Sequence, residues 1–195
     1  LGDVSPNDQI IGASEEEAFS AIDKLSQMHG RFWGKLDQPE YAWMYDHAGQ
    51  ESTAILKDMV YMPALEPCIE KFDSFFTDET RADAVVMDWQ ISARGRGIFD
   101  FAYFVCQSLQ SERRKKIEVE LLKQYLDGLA RAGVKGYDFD TAMKDYRTMI
   151  LGCLVYPITV GGTLDLSNER GRALAECMLQ RNLIAIEELD CAEFL

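Results

Sequence analysis

The sequence predicts a single, mainly α-helical domain that contains one small β hairpin. Two observations predict the helices: apolar residues recur every three or four positions over several stretches, and capping residues precede these stretches. A third observation predicts the hairpin, because the apolar run of residues 84–87 is too short for a helix and ends in polar residues. At 195 residues the chain is long enough for one packed domain, with residues 1–13 as a connector.

The first helix is predicted by a capping-box sequence, Ser14-Glu15-Glu16-Glu17, which precedes an amphipathic stretch. This helix is expected to end within the sequence HGRFWG, residues 29–34. Its predicted apolar face consists of Ala18, Ile22, Leu25, Met28 and Phe32. His29 lies on the same face, where a lone histidine is more often a packed core residue than a base or a ligand, so we expect it to be a packed core residue.

The middle of the chain is predicted to form short elements around the hairpin. A second helix runs from about residue 51 to residue 62, where Pro63 is expected to stop it. A helical piece over residues 65–72 then leads into a strand and turn at 73–80, which pairs with the strand at 84–87. After a polar, glycine-containing loop, Asp100 is placed to cap a helix that begins near Phe101.

Three longer helices are predicted in the C-terminal half of the chain. The first covers residues 112–132 and ends at Gly133, the second begins at Asp138 or Asp140 and is kinked or ended by Pro157 and Gly161-Gly162, and the third covers residues 168–189. The apolar positions of each repeat with helical spacing, so all three are expected to pack into one core.

The charge of the chain excludes some classes of partner. Thirty-three acidic residues against twenty basic ones give a net charge of −13, which argues against binding to nucleic acid or to an anionic membrane. The only basic cluster, residues 113–116, is expected to be a solvated helix face. An acidic surface is compatible with a cationic small-molecule substrate, although it serves solubility more often. No apolar run reaches the length of about 18 residues that a membrane span needs.

Cysteine usage indicates a reducing compartment. The five cysteines occur singly, without a CxxC pair and without neighbouring histidines. Buried, reduced thiols are therefore the simplest interpretation, and we expect a cytoplasmic protein, with no signal peptide ahead of the first helix.

Asp88 is the strongest candidate for a chemical role. It follows the apolar run of residues 84–87 and precedes a loop that contains Gly95 and Gly97. Phosphotransferases hold Mg²⁺ against a nucleotide with a carboxylate placed in this way. The alternative is an aspartate that only caps the turn after a strand. Trp89 and Gln90 would line a pocket beside such a site, or Trp89 would bury apolar area in the core.

Three segments of the chain resemble the aminoglycoside phosphotransferase and choline-kinase-like superfamily, including its ecdysteroid-kinase-like branch. The first runs from Gly12 to Gly34 and contains Leu25-x-x-Met28-His29 followed by Trp33-Gly34. The second, which is the specific one, is Val85-Val86-Met87-Asp88-Trp89-Gln90 with Gly95-x-Gly97 and Asp100-x-Ala102-Tyr103-Phe104. The third is the amphipathic helical tail, including Asp145-Tyr146-Arg147.

The resemblance implies the helical C-terminal lobe of a kinase-like fold, with Mg²⁺ held by Asp88 and ATP as phosphoryl donor. The family's N-terminal nucleotide-binding lobe and its His-Gly-Asp-x-x-x-x-Asn catalytic loop are both missing from this sequence. Asp73 and Ser74 correspond to the end of that loop, so Ser74, at the place of the metal-binding Asn, or Asp73 is a further candidate ligand. Asp100 would support the site, since its family equivalent braces the catalytic loop; a plain helix N-cap explains it equally well.

Two functional hypotheses follow from the resemblance. The chain is either derived from an ATP-dependent kinase of small-molecule hydroxyl groups and inactive as it stands, or it is a non-catalytic remnant or helical binding module. The sequence leaves open whether it is an enzyme, because the catalytic aspartate is absent and the missing loop and lobe are either true deletions or parts of the protein outside this sequence. Mg²⁺ and ATP are implied by the resemblance alone, the acceptor substrate is undetermined, and the surface facing the N-lobe is a candidate homodimer interface.

Overall fold

A computed structural model of the chain describes residues 8–42, 56–75, 97–165 and 167–194. These residues are mostly helical and include no β-strand. The α-helices are α1 (Glu15–Phe32), α2 (Met62–Lys71), α3 (Ile98–Ser108), α4 (Ser111–Arg131), α5 (Phe139–Cys153), α6 (Val155–Thr163) and α7 (Glu169–Glu188). A π-helical turn, Leu56–Tyr61, leads into α2, and 3₁₀ turns lie at Pro39–Tyr41, Asp73–Phe75 and Cys191–Phe194. The mainly helical class predicted from the sequence is confirmed.

The predicted hairpin is tested only at its first residues. Asp73–Phe75, which were expected to begin a strand, form a 3₁₀ turn in which the Phe75 N–H donates to the Phe72 carbonyl. Phe72 and Phe75 stack with ring centroids 6.0 Å apart, and this local aromatic contact favours a turn over an extended chain at this point. The remainder of the hairpin, including residues 84–87, lies outside the described residues, so the hairpin stays a prediction.

Helix α1 begins where the capping box predicted. The Ser14 hydroxyl accepts from the Glu17 N–H at 3.2 Å, and the Glu17 carboxylate accepts from the Ser14 N–H at 2.8 Å. The predicted apolar face is only partly correct, because Met28 is 47% exposed while Ser26 and Gly30 are buried.

Small residues bring α1 close to α4. A Cβ atom on Gly128 would lie 2.0 Å from Ser26 Oγ, and one on Gly30 would lie 2.3 Å from the Cβ of Ala132. The two helices can therefore approach only because these glycines carry no side chain. Sequence periodicity does not show this contact, since Ser26 and Gly30 contribute little hydrophobicity.

Helix α4 matches its prediction closely. Its apolar stripe is buried at the positions that helical spacing gives, namely Ile117, Leu121, Leu122, Tyr125 and Leu129. The helix ends at Gly133, which has a φ of 92° and lets its own N–H and that of Val134 satisfy the last free carbonyls of α4.

Helices α2 and α6 pack face to face. They contain Pro63 and the Gly161-Gly162 pair, which the sequence predicted to be helix breakers. Pro63 lies in the first turn of α2 and does not stop a helix there. Gly161 and Gly162 lie in the last turn of α6, which ends at Thr163. A Cβ on Gly162 would lie 2.0 Å from the Ala64 carbonyl oxygen, so the second glycine is needed for close approach.

The basic run at residues 113–116 is not the uniformly solvated face that the sequence predicted. Arg114 is 1% exposed and donates to Glu118 at 2.6 Å and to Glu188 of α7. Glu118 also accepts from the Tyr146 hydroxyl at 2.8 Å, so the guanidinium belongs to a buried network between α4, α5 and α7. Its flanking lysine, Lys115, is 67% exposed as expected.

Candidate functional site

Three polar side chains from three helices meet where the C-terminal end of α1 lies against the start of α3. His29 Nε2 lies 3.1 Å from the Asp100 carboxylate, and His29 Nδ1 lies 2.8 Å from the Tyr125 hydroxyl. We call Tyr125, His29 and Asp100 the junction triad. Exposure to solvent increases along the triad: Tyr125 is fully buried, the His29 side chain is 10% exposed and the Asp100 side chain is 54% exposed. The triad therefore connects the core to the surface.

Gly97 allows the chain to pass close to the triad. It is the N-cap residue of α3, and a Cβ there would lie 2.6 Å from His29 Nδ1 and 2.8 Å from the Tyr125 hydroxyl. Its φ of −55° is accessible to every amino acid, so the requirement for glycine at this position comes from space alone. This explains one of the two glycines of the Gly95-x-Gly97 sequence.

Aromatic packing holds the buried end of the triad in place. The His29 ring meets the Tyr125 ring edge-on at a centroid distance of 5.8 Å, and Phe101 packs against Tyr125 at 5.4 Å. Burial raises the pKa of the Tyr125 hydroxyl, and the nearby charge of Asp100 raises it further. The hydroxyl therefore keeps its proton at neutral pH and is available as a hydrogen-bond donor.

The position of Asp100 corrects one of its two predicted roles. The cap of α3 is Gly97, and Asp100 lies within the first turn of a helix that begins three residues earlier than expected. Asp100 is therefore not the N-cap; its described side-chain partner is His29. An acidic residue in the first helical turn is favourable because the N-terminal end of a helix carries partial positive charge. Support of a catalytic loop by Asp100 stays a prediction.

The described residues do not test the predicted metal ligands as a set, because Asp88 lies outside them. Asp73 and Ser74 are both exposed and lie in the 3₁₀ turn after α2. Asp88, Trp89 and Gln90 lie outside the described residues, and their predicted roles remain untested. Across residues 8–42, 56–75, 97–165 and 167–194, no group of three or more His, Cys, Asp or Glu side chains could hold a metal ion.

A second candidate is a cavity of about 390 Å³ at the other end of α1. It is lined by Asp8, Glu17, Tyr103, Phe104 and Ser108, together with small residues of the segment before α1. Its two carboxylates are already engaged, because Asp8 accepts from Arg170 at 2.9 Å and Glu17 completes the α1 capping box. The cavity is large enough for a small molecule, but its acidic groups are committed to the fold.

Sequence analysis missed the roles of His29 and Tyr125. Both carry polar tips on apolar helix faces, and a buried polar atom requires a partner. That requirement was the available signal, but the sequence does not say which partner satisfies it. His29 and Asp100 are 71 positions apart, and His29 and Tyr125 are 96 apart, so only the folded chain pairs them.

Comparisons with protein-family models, with curated proteins and with solved structures gave no match to this chain. In the part of the chain that the structure describes, no helix has both the length and the apolar character required to cross a lipid bilayer.

Proposed function

We propose that this chain is the helical C-terminal lobe of a small-molecule phosphotransferase similar to the aminoglycoside phosphotransferase and choline-kinase-like enzymes. The ancestral reaction would be transfer of the γ-phosphoryl group of ATP to a hydroxyl group of a small substrate. The observation that carries the proposal is the contact between His29 and Asp100. The two most informative segments of the resemblance, residues 12–34 and 85–104, include these two residues, which lie 3.1 Å apart.

The close approach of Gly97 to the same histidine supports this interpretation. Two features of the specific segment, the second glycine of Gly95-x-Gly97 and the aspartate three residues later, both contact a residue of the first segment. This packing brings the two sequence patterns together at His29.

The proposed activity is limited by the groups that the chain contains. The catalytic aspartate of the His-Gly-Asp loop, which would orient and deprotonate the acceptor hydroxyl, has no counterpart in the sequence. Among the described residues, Asp73 and Ser74 do not form a sufficient ligand set for Mg²⁺, so no step through the metal follows from them. We therefore propose that the chain as it stands binds Mg²⁺–nucleotide through Asp88 at most and does not transfer phosphoryl groups.

The second candidate function is a non-catalytic helical module that binds a small molecule. The observation that favours it is the cavity of about 390 Å³ beside Tyr103 and Phe104, which lies at the far end of α1 from the junction triad. A ligand in this cavity would require neither Asp88 nor Mg²⁺. The two candidates therefore make different predictions for the same binding experiment.

Isothermal titration calorimetry with ATP, with and without Mg²⁺, tests the proposal. We expect Mg²⁺-dependent binding that Asp88→Ala abolishes, while the matched control Asp127→Ala, at an exposed position on α4, binds like the parent chain. Circular dichroism and thermal unfolding of all three proteins establish that each is folded. A folded parent chain that binds no nucleotide, or binding that survives Asp88→Ala, would overturn the proposal. Mg²⁺-independent binding that Tyr103→Ala removes would favour the cavity.

A further inference from the structure

The hydrogen-bonding capacities of the junction triad determine where its protons lie. An ionised carboxylate can only accept, so the contact at 3.1 Å requires a proton on His29 Nε2. In a neutral imidazole the other nitrogen, Nδ1, is then an acceptor. The Tyr125 hydroxyl at 2.8 Å is the group that can donate to it. Tyr125 thus donates to His29, and His29 donates to Asp100, with each group in one role.

The surroundings of His29 hold its ring in place. On one side, α1 is locked to α4 by the contact of Ser26 with Gly128, where a Cβ would come within 2.0 Å of the serine hydroxyl. On another side, the backbone of Gly97 passes so close that a Cβ there would be 2.6 Å from His29 Nδ1. The Gly97 backbone and the edge-on Tyr125 ring both lie against the imidazole, and in this position Nε2 faces Asp100 of α3.

The exposed end of the triad is the group that this arrangement orients. Among the described residues, His29 is the side-chain partner of Asp100, and Asp100 remains 54% exposed. One carboxylate oxygen, Oδ2, is occupied by the histidine, and the carboxylate retains acceptor capacity for another group. A side chain on the first turn of a helix would otherwise be free to sample several rotamers.

We propose that His29 is a positioning residue for Asp100, with its Nε2–H tautomer set by the carboxylate that accepts from Nε2 and with Nδ1 accepting from the hydroxyl of Tyr125. The role of His29 is therefore not the simple core packing that its place on α1 predicted. The inference rests on the proposed function only in identifying what Asp100 serves, a phosphotransferase site. The arrangement of the three groups is testable without any nucleotide.

The tautomer is tested by NMR of the histidine ring nitrogens. The sequence has two histidines, so His47→Gln leaves His29 as the single ring to observe. At a pH of about 8, where an ordinary imidazole is neutral, we expect one tautomer with the proton on Nε2. Asp100→Ala, which removes the carboxylate acceptor, should convert it to a mixture, because the remaining Tyr125 hydroxyl can either donate or accept. Tyr137→Phe, which removes a different hydroxyl-to-carboxylate bond, should leave it unchanged. A mixture in the parent chain, or no response to Asp100→Ala, would overturn the inference.

The positioning role is tested by comparing His29→Leu with His29→Gln. The glutamine amide can restore one donor to Asp100, whereas leucine cannot. We expect His29→Leu to increase amide hydrogen exchange of residues 101–104 and to weaken Mg²⁺–ATP binding about tenfold, as loss of a supporting hydrogen bond commonly does. His29→Gln should recover part of both effects, and Asp100→Asn should add nothing to His29→Leu.

These outcomes distinguish the two proposals. If the parent chain binds no nucleotide, the proposed function fails, and the ring nitrogens with the exchange rates still decide the role of His29. Equal exchange rates in the leucine, glutamine and parent proteins would overturn the positioning role even if the parent chain binds nucleotide. A loss of stability in His29→Leu without any change in exchange at residues 101–104 would also overturn it.

Discussion

Two polar clusters lie along α4, and they differ in how far their charged side chains are buried. The cluster of Arg114, Glu118 and Tyr146 is in the first half of the helix, and it is almost completely enclosed by α5 and α7. The junction triad, which uses Tyr125 in the second half of α4, ends instead in the half-exposed Asp100. The first cluster uses its hydrogen bonds to hold helices together, while the second keeps a carboxylate available at the surface.

This comparison separates structural polar groups from candidate functional ones. In the enclosed cluster, the acid and the tyrosine have internal partners, and one buried atom, Arg114 Nε, has no hydrogen-bond partner. In the triad, a chain of hydrogen bonds leads outward from the core. The enclosed cluster also reaches the surface at Glu188, but that carboxylate is paired with both Arg114 and Lys115, whereas the more exposed Asp100 is paired with His29.

The largest effect is expected from breaking the enclosed cluster. Arg114→Met leaves the buried Glu118 without its ionic partner, and we expect a loss of about 3–5 kcal/mol in the free energy of unfolding. The matched control is Lys115→Met, which also removes a partner of Glu188 but at a 67% exposed position. The control should lose less than about 1 kcal/mol. Urea unfolding at neutral pH measures both; equal small losses would show that the cluster contributes little to stability.

An intermediate effect is expected from crowding the junction triad. Gly97→Ala places a methyl group within 2.6 Å of His29 Nδ1. We expect a loss of about 1–3 kcal/mol in the free energy of unfolding, the usual cost of overpacking. Gly152→Ala in α5 is the control, because nothing lies within 4 Å of its Cβ position. Since alanine is favoured over glycine in a helix, the control should gain about 0.5–1 kcal/mol. A neutral Gly97→Ala would contradict the close packing at the triad.

The smallest effect concerns acid sensitivity at the edge of the enclosed cluster. The hydrogen bond from Lys115 lowers the pKa of Glu188, and the charge of Arg114 lowers it further. Because the folded-state pKa lies below the unfolded one, the stabilisation is present above an unfolded value of about 4.3 and is lost as the pH falls through the folded value.

Glu188→Gln should therefore flatten the decline in stability at acidic pH, and the exposed neighbour Glu187→Gln should not. Urea unfolding across the acidic range measures the slope for each protein. A slope that is the same for the parent chain and for both variants would exclude Glu188 as a contributor to acid unfolding.

Features that depend on neighbouring residues could be predicted from the sequence. The Ser14 cap of α1, the apolar stripe and Gly133 end of α4 and the Asp138 cap of α5 are determined by residues within one or two turns of each other. In the same way, the predicted start of the last helix is confirmed by the Asn168 side chain, which caps α7. In each of these features the interacting residues are close in the sequence, so the sequence alone identifies both partners.

The remaining features depend on partners that are distant in the sequence. Arg114 looked solvated because its run is basic, yet one of its partners, Glu188, is 74 positions away. Gly162 was predicted to be a helix breaker because Ala64, the residue that it contacts, lies in another helix. His29 looked like a core residue because Asp100 cannot be paired with it from spacing. For the candidate site, the sequence drew attention to Asp100 but could not identify His29 as the residue that contacts it.

Because most of the thiols are buried, their reactivity can be used to follow local unfolding of this chain. Cys68, Cys106, Cys153 and Cys191 are buried in different helices and turns, and burial raises the pKa of Cys68, Cys106 and Cys191 to about 12. Alkylating reagents attack the thiolate, so these sulfurs should react only when their own element separates from the core. With the half-buried Cys177 as an internal reference, modification rates read by mass spectrometry would report the opening of each part of the bundle separately.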